Sequence, residues 1–160
     1  MAKIQKVYIM QGIPGSGKST LALKMMGQAA DVGAAVLKVS ADDYFYEGSE
    51  YKFDASKLGE AHAQCLHNFV EWVRYPPKSE VCLALVDNTN IHLWEMSPYV
   101  AVAAAYGWSV EVHTTMCPVE MALARGLHRV PEEVLNRMLA ELEEPFDRWG
   151  PHYIYGTTGK

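Results

Sequence analysis

The chain has 160 residues, 49% of them apolar and 21% charged, with a formal net charge of −5. This is the profile of one globular domain long enough to bury a sizeable core. The acidic balance argues against a long, non-specific grip on a nucleic-acid backbone, which calls for a basic face, though not against a short local contact. The three cysteines, Cys65, Cys82 and Cys117, form no C-x-x-C pair, so unpaired thiols in a reducing, cytoplasmic setting are expected, with Cys82 in the core. No signal peptide and no apolar run of about 18 residues is found, so a membrane span is not expected.

In chain order, the first predicted strand covers about Lys6 to Gln11. It leads into Gly12-Ile13-Pro14-Gly15-Ser16-Gly17-Lys18-Ser19-Thr20, which fits the phosphate-loop pattern G-x-x-x-x-G-K-[ST]. Gly12, Gly15 and Gly17 let the backbone approach an anion, and successive N–H groups can then face one concavity. A helix from about Lys18 to Ala30 adds its N-terminal dipole. Lys18 can reach the β- and γ-phosphates of a nucleoside triphosphate, and Ser19 can place its hydroxyl on Mg²⁺. After the turn Asp31-Val32-Gly33, a second strand (Ala34 to Ser40) ends at Ala41-Asp42-Asp43-Tyr44-Phe45. A polar loop follows. Asp54 is a good N-cap for a helix carrying Leu58, Ala61, Cys65, Phe69 and Val73 at helical spacing, with Phe53 placed to staple its start. Tyr75-Pro76-Pro77 stops it.

The run Val81 to Val86 reads as a strand buried on both faces, and it ends at Asp87-Asn88-Thr89-Asn90. Ser97-Pro98 reads as an N-cap and first helical residue, with Gly107 ending that helix. Trp108 to His113 is the fourth strand. Pro118 opens one late helix and Pro131 another. The tail from Glu144 to Lys160 shows no clear period. The order β-α-β-α-β-α-β-α-α predicts a doubly wound parallel sheet of the phosphate-loop (P-loop) NTPase kind, adenylate-kinase-like, with a small helical lid at about 125–137, all in one domain over 1–160. Ligands in such sheets bind beyond the carboxyl ends of the strands.

That rule brings three strand ends to one crevice. Asp42 or Asp43 can take the proton of an attacking hydroxyl, and spacing does not choose between them. Each could instead cap the following turn. Asp87, ending the third strand, suits a Mg²⁺ contact. Asn88 is a further polar candidate. Arg125, Arg129 and Arg137 lie on or beside the late helices, where a planar guanidinium can meet phosphate charge. The loop Arg125-Gly126-Leu127-His128-Arg129 reads as part of the lid. The candidate nucleotide contacts are therefore Gly12 through Thr20, Arg125 and Arg137. Those for the metal are Ser19 and Asp87, and those for the acceptor Asp42, Asp43 and Asn88.

Several of these segments together resemble the phage-type 5′-hydroxyl polynucleotide kinases and related kinase-like ATP-binding domains. They are the phosphate loop, Ser40-Ala41-Asp42-Asp43-Tyr44, Val86-Asp87-Asn88-Thr89-Asn90, and Arg125 through Pro131 with Asn136-Arg137-Met138. Tyr51-Lys52-Phe53-Asp54 with Leu58 and Glu60-Ala61-His62 adds to the likeness with the relatives. The resemblance implies ATP (or another nucleoside triphosphate) and Mg²⁺ at Lys18 and Ser19. It implies Asp42 as general base toward a 5′-hydroxyl of a polynucleotide end, and Arg125 or Arg129 on the phosphates. Phe45 stands where the phage enzymes carry an Arg that helps bind the acceptor. That favours an alternative, a kinase for a nucleoside or other small metabolite. So do the acids Asp42, Asp43, Glu47, Glu50, Asp54 and Glu60 beside only Lys52 and Lys57. A nucleotide-binding switch with slow hydrolysis is the alternative from another class.

Overall fold

The computed structural model describes residues 3–126 and 129–156. Five parallel strands form one sheet in the order β2-β5-β1-β6-β7. These are β1 (Ile4–Gln11), β2 (Ala35–Val39), β5 (Val81–Asp87), β6 (Ser109–Met116) and β7 (His152–Gly156). A two-stranded antiparallel hairpin, β3 (Tyr46–Glu47) with β4 (Glu50–Tyr51), stands apart from it. The helices are α1 (Lys18–Asp31), α2 (Leu58–Arg74), α3 (Leu93–Ala105), α4 (Val119–Arg125) and α5 (Glu132–Glu141). This is the doubly wound parallel sheet that the sequence predicts.

Strand alternation assigns the faces. On β1, Val7 and Ile9 point to one side, where α2 and α3 pack with Phe69, Val73, Met96, Tyr99 and Ala103. Met10 points to the other side, where α1 covers Leu83 and Leu85 with Ala22 and Ala29. The central strands are apolar without interruption because both faces are covered. Phe69, Ile9 and Leu85 are fully buried. Truncating such a core side chain to Ala typically costs about 3–5 kcal/mol. A third cluster, with Ile13, Ile91, Val119, Ala122 and Leu135, seats α4 and α5 against the phosphate loop.

Four local expectations are corrected. Helix α3 begins at Leu93, not after Ser97. His92 and Glu95 form a capping box one turn earlier, with the His92 N–H donating to Glu95 at 2.8 Å. Pro98 therefore sits inside the helix, and burial of Met96 and Tyr99 outweighs its missing hydrogen bond. Asp54 caps a 3₁₀ turn over Ala55–Lys57 that runs into α2, rather than α2 itself. Phe53 is exposed and packs its edge against Phe45, with centroids 5.0 Å apart, instead of stapling the helix. The tail holds a fifth sheet strand, β7, paired in parallel to β6. It carries no apolar period because it lies at the sheet edge with most side chains exposed. Part of the predicted lid loop, Leu127 and His128, and the end of the tail, 157–160, lie outside the described residues. Among the described residues no helix is long and apolar enough to cross a membrane.

Candidate active site

The phosphate loop joins β1 to α1, and close packing shapes it. Gly12 has φ +145°, and a Cβ there would sit 2.5 Å from the Thr115 carbonyl oxygen. Gly17, with φ +102°, is the left-handed residue before the first turn of α1. Side chains beneath the loop hold it still. Ser16 Oγ meets Thr115 Oγ1 at 2.6 Å. Gln11 donates to the Asn90 and Glu143 carbonyls at 3.1 and 2.7 Å and accepts from Thr114 at 2.6 Å. Asn90, at φ +45°, donates to the Met10 carbonyl at 2.7 Å. The Gly12 N–H donates to the Thr89 carbonyl.

Lys18 is buried and donates to the Ile13 carbonyl at 2.9 Å, so its ammonium lies across the loop. Burial lowers its pKa to about 8, against the opposing pull of Asp87, Asp42 and Cys117. An anion in the loop would restore the charged form. Ser19 donates to Asp87 Oδ2 at 2.8 Å, while Asp87 Oδ1 is buried without a hydrogen-bond partner. A hydroxyl, a carboxylate and an unsatisfied buried oxygen in one place suit a hard cation such as Mg²⁺, which takes oxygen ligands and one or two carboxylates.

Asp42 and Asp43, which spacing left equivalent, fall on opposite sides of a 3₁₀ turn over Ala41–Phe45. Asp42 lines the cleft with Lys18, Ser19 and Asp87, and its Oδ1 accepts from the Tyr51 hydroxyl at 3.1 Å. Asp43 faces outward to Lys38, 3.4 Å away, and lines a separate depression between β2 and α2. Asn88 borders the cleft but turns its side chain inward. Its Oδ1 accepts from the Ala41 N–H at 2.8 Å, and its Nδ2 approaches Cys65 Sγ and Tyr99 Oη at 3.5 Å. It thereby ties the turn bearing Asp42 to the end of β5.

The three arginines separate. Arg125, at the end of α4, donates to the Gly15 carbonyl and caps the loop from above. Arg129, at φ +50°, and Arg137 are exposed and do not line the cleft, although their neighbours Val130 and Met138 do. The cleft encloses about 360 Å³. Opposite the phosphate loop its wall is Tyr51, Phe53, Leu58 and His62. Glu95 borders it too, and its carboxylate also serves the α3 cap.

A family model described as an AAA domain matches residues 7–145. The chain belongs to this family. It is 36% identical to human NEDD4-binding protein 2 over 142 residues, 83% of this chain but only 7% of that protein. It is also 28% identical to an uncharacterized protein of Pasteurella multocida (strain Pm70), covering 91% of this chain and 88% of the other. Among solved structures, Kti12 of Chaetomium thermophilum in complex with ADP-AlF3 superposes with a TM-score of 0.66 at 18% identity, over 95% of this chain and 89% of that one. The APS kinase CysC of Mycobacterium tuberculosis, in complex with AMPPNP and APS, superposes at 0.58 and 16% identity, over 96% and 90%. At such identities the likeness is one of fold. The AAA-domain chain has the P-loop NTPase fold of these neighbours.

Sequence reasoning missed Tyr51, Phe53, Leu58, His62 and Glu95 as cleft residues. It also missed Gln11 and Asn90 as anchors of the loop. The hairpin pairs Tyr46 with Tyr51 around Gly48-Ser49, but strands of two residues each are too short to show an alternating pattern. Gln11 and Asn90 are buried polar residues beside the motif, and their burial shows only in the structure.

Proposed function

We propose that this chain is an ATP- and Mg²⁺-dependent kinase that moves the γ-phosphoryl group to the 5′-hydroxyl of a polynucleotide end, as one domain with a lid at about 125–137. The observation that carries this reading is the meeting of Asp42 with Lys18, Ser19 and Asp87 in one cleft. Gly12 through Thr20 cradle the triphosphate. Lys18 leaves the Ile13 carbonyl for the phosphate oxygens, and its ammonium offsets the charge that builds up during transfer. Ser19 and Asp87 would hold Mg²⁺, which neutralises charge on the phosphates when bound. Asp42 accepts the proton of the acceptor hydroxyl. That oxygen bonds to the γ-phosphorus as the bond to the β-phosphate oxygen breaks, and ADP departs. Arg125 turns from the Gly15 carbonyl to the transferring group, with Arg129 and Arg137 next to it in the lid.

The acceptor wall of Tyr51, Phe53 and Leu58 suits a flat, uncharged ring next to the reacting hydroxyl. A second reading, a kinase for a nucleoside or other small metabolite, is favoured by Phe45. It is buried in a cluster with Tyr44, Tyr51 and Phe53, where the phosphate of a longer strand would meet rings and not a cation.

The test is transfer from γ-labelled ATP, with Mg²⁺, to a 5′-hydroxyl oligonucleotide, its 5′-phosphorylated twin and a panel of nucleosides. Label is expected on the 5′-hydroxyl oligonucleotide alone, reduced about 10²–10⁴-fold in Asp42→Asn with ATP binding intact. Label on a nucleoside alone moves the assignment to the second reading. Full transfer by Asp42→Asn removes the base.

A further inference from the structure

The hairpin β3–β4 touches the sheet little, yet it delivers one residue into the cleft. We propose that Tyr51 is the positioning residue for Asp42. Its phenol holds one carboxylate oxygen, so that the other takes the proton of the acceptor hydroxyl. This inference rests on the kinase reading above.

The geometry supports it from both sides of the hydrogen bond. Tyr51 Oη donates to Asp42 Oδ1 at 3.1 Å, and both residues line the cavity that holds Lys18. The Tyr51 ring is confined. Phe45 meets it edge-on at 6.2 Å, and its cross-strand partner Tyr46 lies 5.1 Å away. The hairpin is closed by the Lys52 N–H donating to the Phe45 carbonyl at 2.8 Å, and by Lys52 Nζ lying 2.7 Å from Glu47 and 3.3 Å from Glu50. Asp42 is fixed independently at its backbone. Ser40 Oγ accepts from its N–H, and Asn88 holds the preceding N–H of Ala41. A backbone pinned from β5 and a carboxylate pinned from the hairpin leave little rotation to the base. A base held in one rotamer avoids the entropy of finding it at each turnover.

The phenol also keeps its proton. Burial first, and then the Asp42 carboxylate, push its pKa well above the ordinary tyrosine value, so it donates at every working pH. Asp43, on the same turn, faces Lys38 and lines the other depression.

Tyr51→Phe removes the donor and keeps the ring. The expected result is a fall in kcat of about tenfold, the effect of one hydrogen bond to a charged group, with KM for ATP little changed. In an Asp42→Asn background, Tyr51→Phe should produce no further loss, since the two act as one unit.

An unchanged kcat would overturn the inference while leaving the kinase reading intact. So would an equal loss in the Asp42→Asn background. Wild-type turnover in Asp42→Asn alone overturns the base assignment beneath it. Should Tyr51→Phe fail to fold, a trifluorotyrosine at position 51 is the second variant. Its more acidic phenol should deprotonate within the assay range and bring an alkaline loss of kcat that the natural side chain lacks; no such loss overturns the inference.

Discussion

Asn88→Ala is expected to lower stability and turnover together. The Ala41 N–H is buried, with Ala41 5% exposed, and its partner is Asn88 Oδ1 at 2.8 Å. Removing that acceptor leaves a buried donor unsatisfied, at about 1–3 kcal/mol. The contacts of Nδ2 with Cys65 Sγ and Tyr99 Oη, both 3.5 Å, are at the edge of hydrogen-bonding range and add little. A loss of about 2 kcal/mol corresponds to a fall in Tm of about 4–8 °C for a domain of this size. The turn over Ala41–Phe45 then loses its tie to β5, and Asp42 loses its fixed place. Thermal and urea unfolding read the first effect. Steady-state kinetics on the 5′-hydroxyl oligonucleotide read the second, which should appear in kcat more than in KM. Unaltered unfolding with a raised acceptor KM would refute this reasoning and make Asn88 a direct substrate contact.

Lys18→Met should abolish phosphoryl transfer and stabilise the empty protein. The folded pKa of about 8 lies below the unfolded value of 10.5, so the unfolded chain holds the proton more tightly. Stability from this group is present above about pH 10, falls as the pH drops toward 8, and stays lower at pH 7. Removing the buried ammonium should therefore raise stability at pH 7 by about 1–3 kcal/mol, part of the gain being offset at the Ile13 carbonyl. Calorimetry at pH 7 checks it, and a lower Tm would contradict it. Gly12→Ala combines an unfavourable φ with a Cβ 2.5 Å from the Thr115 oxygen. It should cost about 3 kcal/mol or more in urea unfolding and weaken ATP binding. Burial lowers the pKa of His113, against the raising effect of Glu111. Below about pH 6.5 the unfolded chain takes up a proton that the folded imidazole resists, so Tm should fall through the acid range. His113→Gln should flatten that slope.

What was legible in the sequence was whatever is written locally. The phosphate loop needs glycines at fixed spacing, so Gly12 through Ser19 announce it. The strands at Val7–Met10 and Val81–Val86 are buried on both faces, and their unbroken apolar runs say so. What was not legible depends on tertiary context. Spacing left Asp42 and Asp43 equivalent, and only the family resemblance pointed to Asp42; the pitch of a 3₁₀ turn sends it into the cleft with Lys18 and Asp43 to Lys38. Strand β7 lies at the edge with exposed side chains, so burial imposed no pattern on it. Its Tyr153 and Tyr155 stack on His113, with ring centroids 5.1 and 5.5 Å apart, across a strand pair that no local window contains. The start of α3 was misplaced because Ser97-Pro98 is a strong local signal, whereas the His92–Glu95 box that wins is a weaker one helped by the burial of Met96.

The two halves of the cleft are built by different means, and this bears on how such a domain acquires a substrate. The phosphate side hangs on buried polar groups, Gln11, Asn90, Thr114 and Thr115, each bonded to another part of the sheet. Changing any one strands a partner in the interior, so that half resists variation. The opposite wall is an aromatic hairpin and the start of α2. There Phe53 is exposed and held by its ring contact with Phe45, and Leu58 is exposed beside it. Apolar walls tolerate exchange at smaller cost than buried hydrogen-bond networks. On the proposed reading, substitutions within residues 46–62 should alter acceptor choice, while those in Gly12 through Ser19 should abolish phosphoryl transfer. Tyr51, reaching from the hairpin to Asp42, is where the two meet.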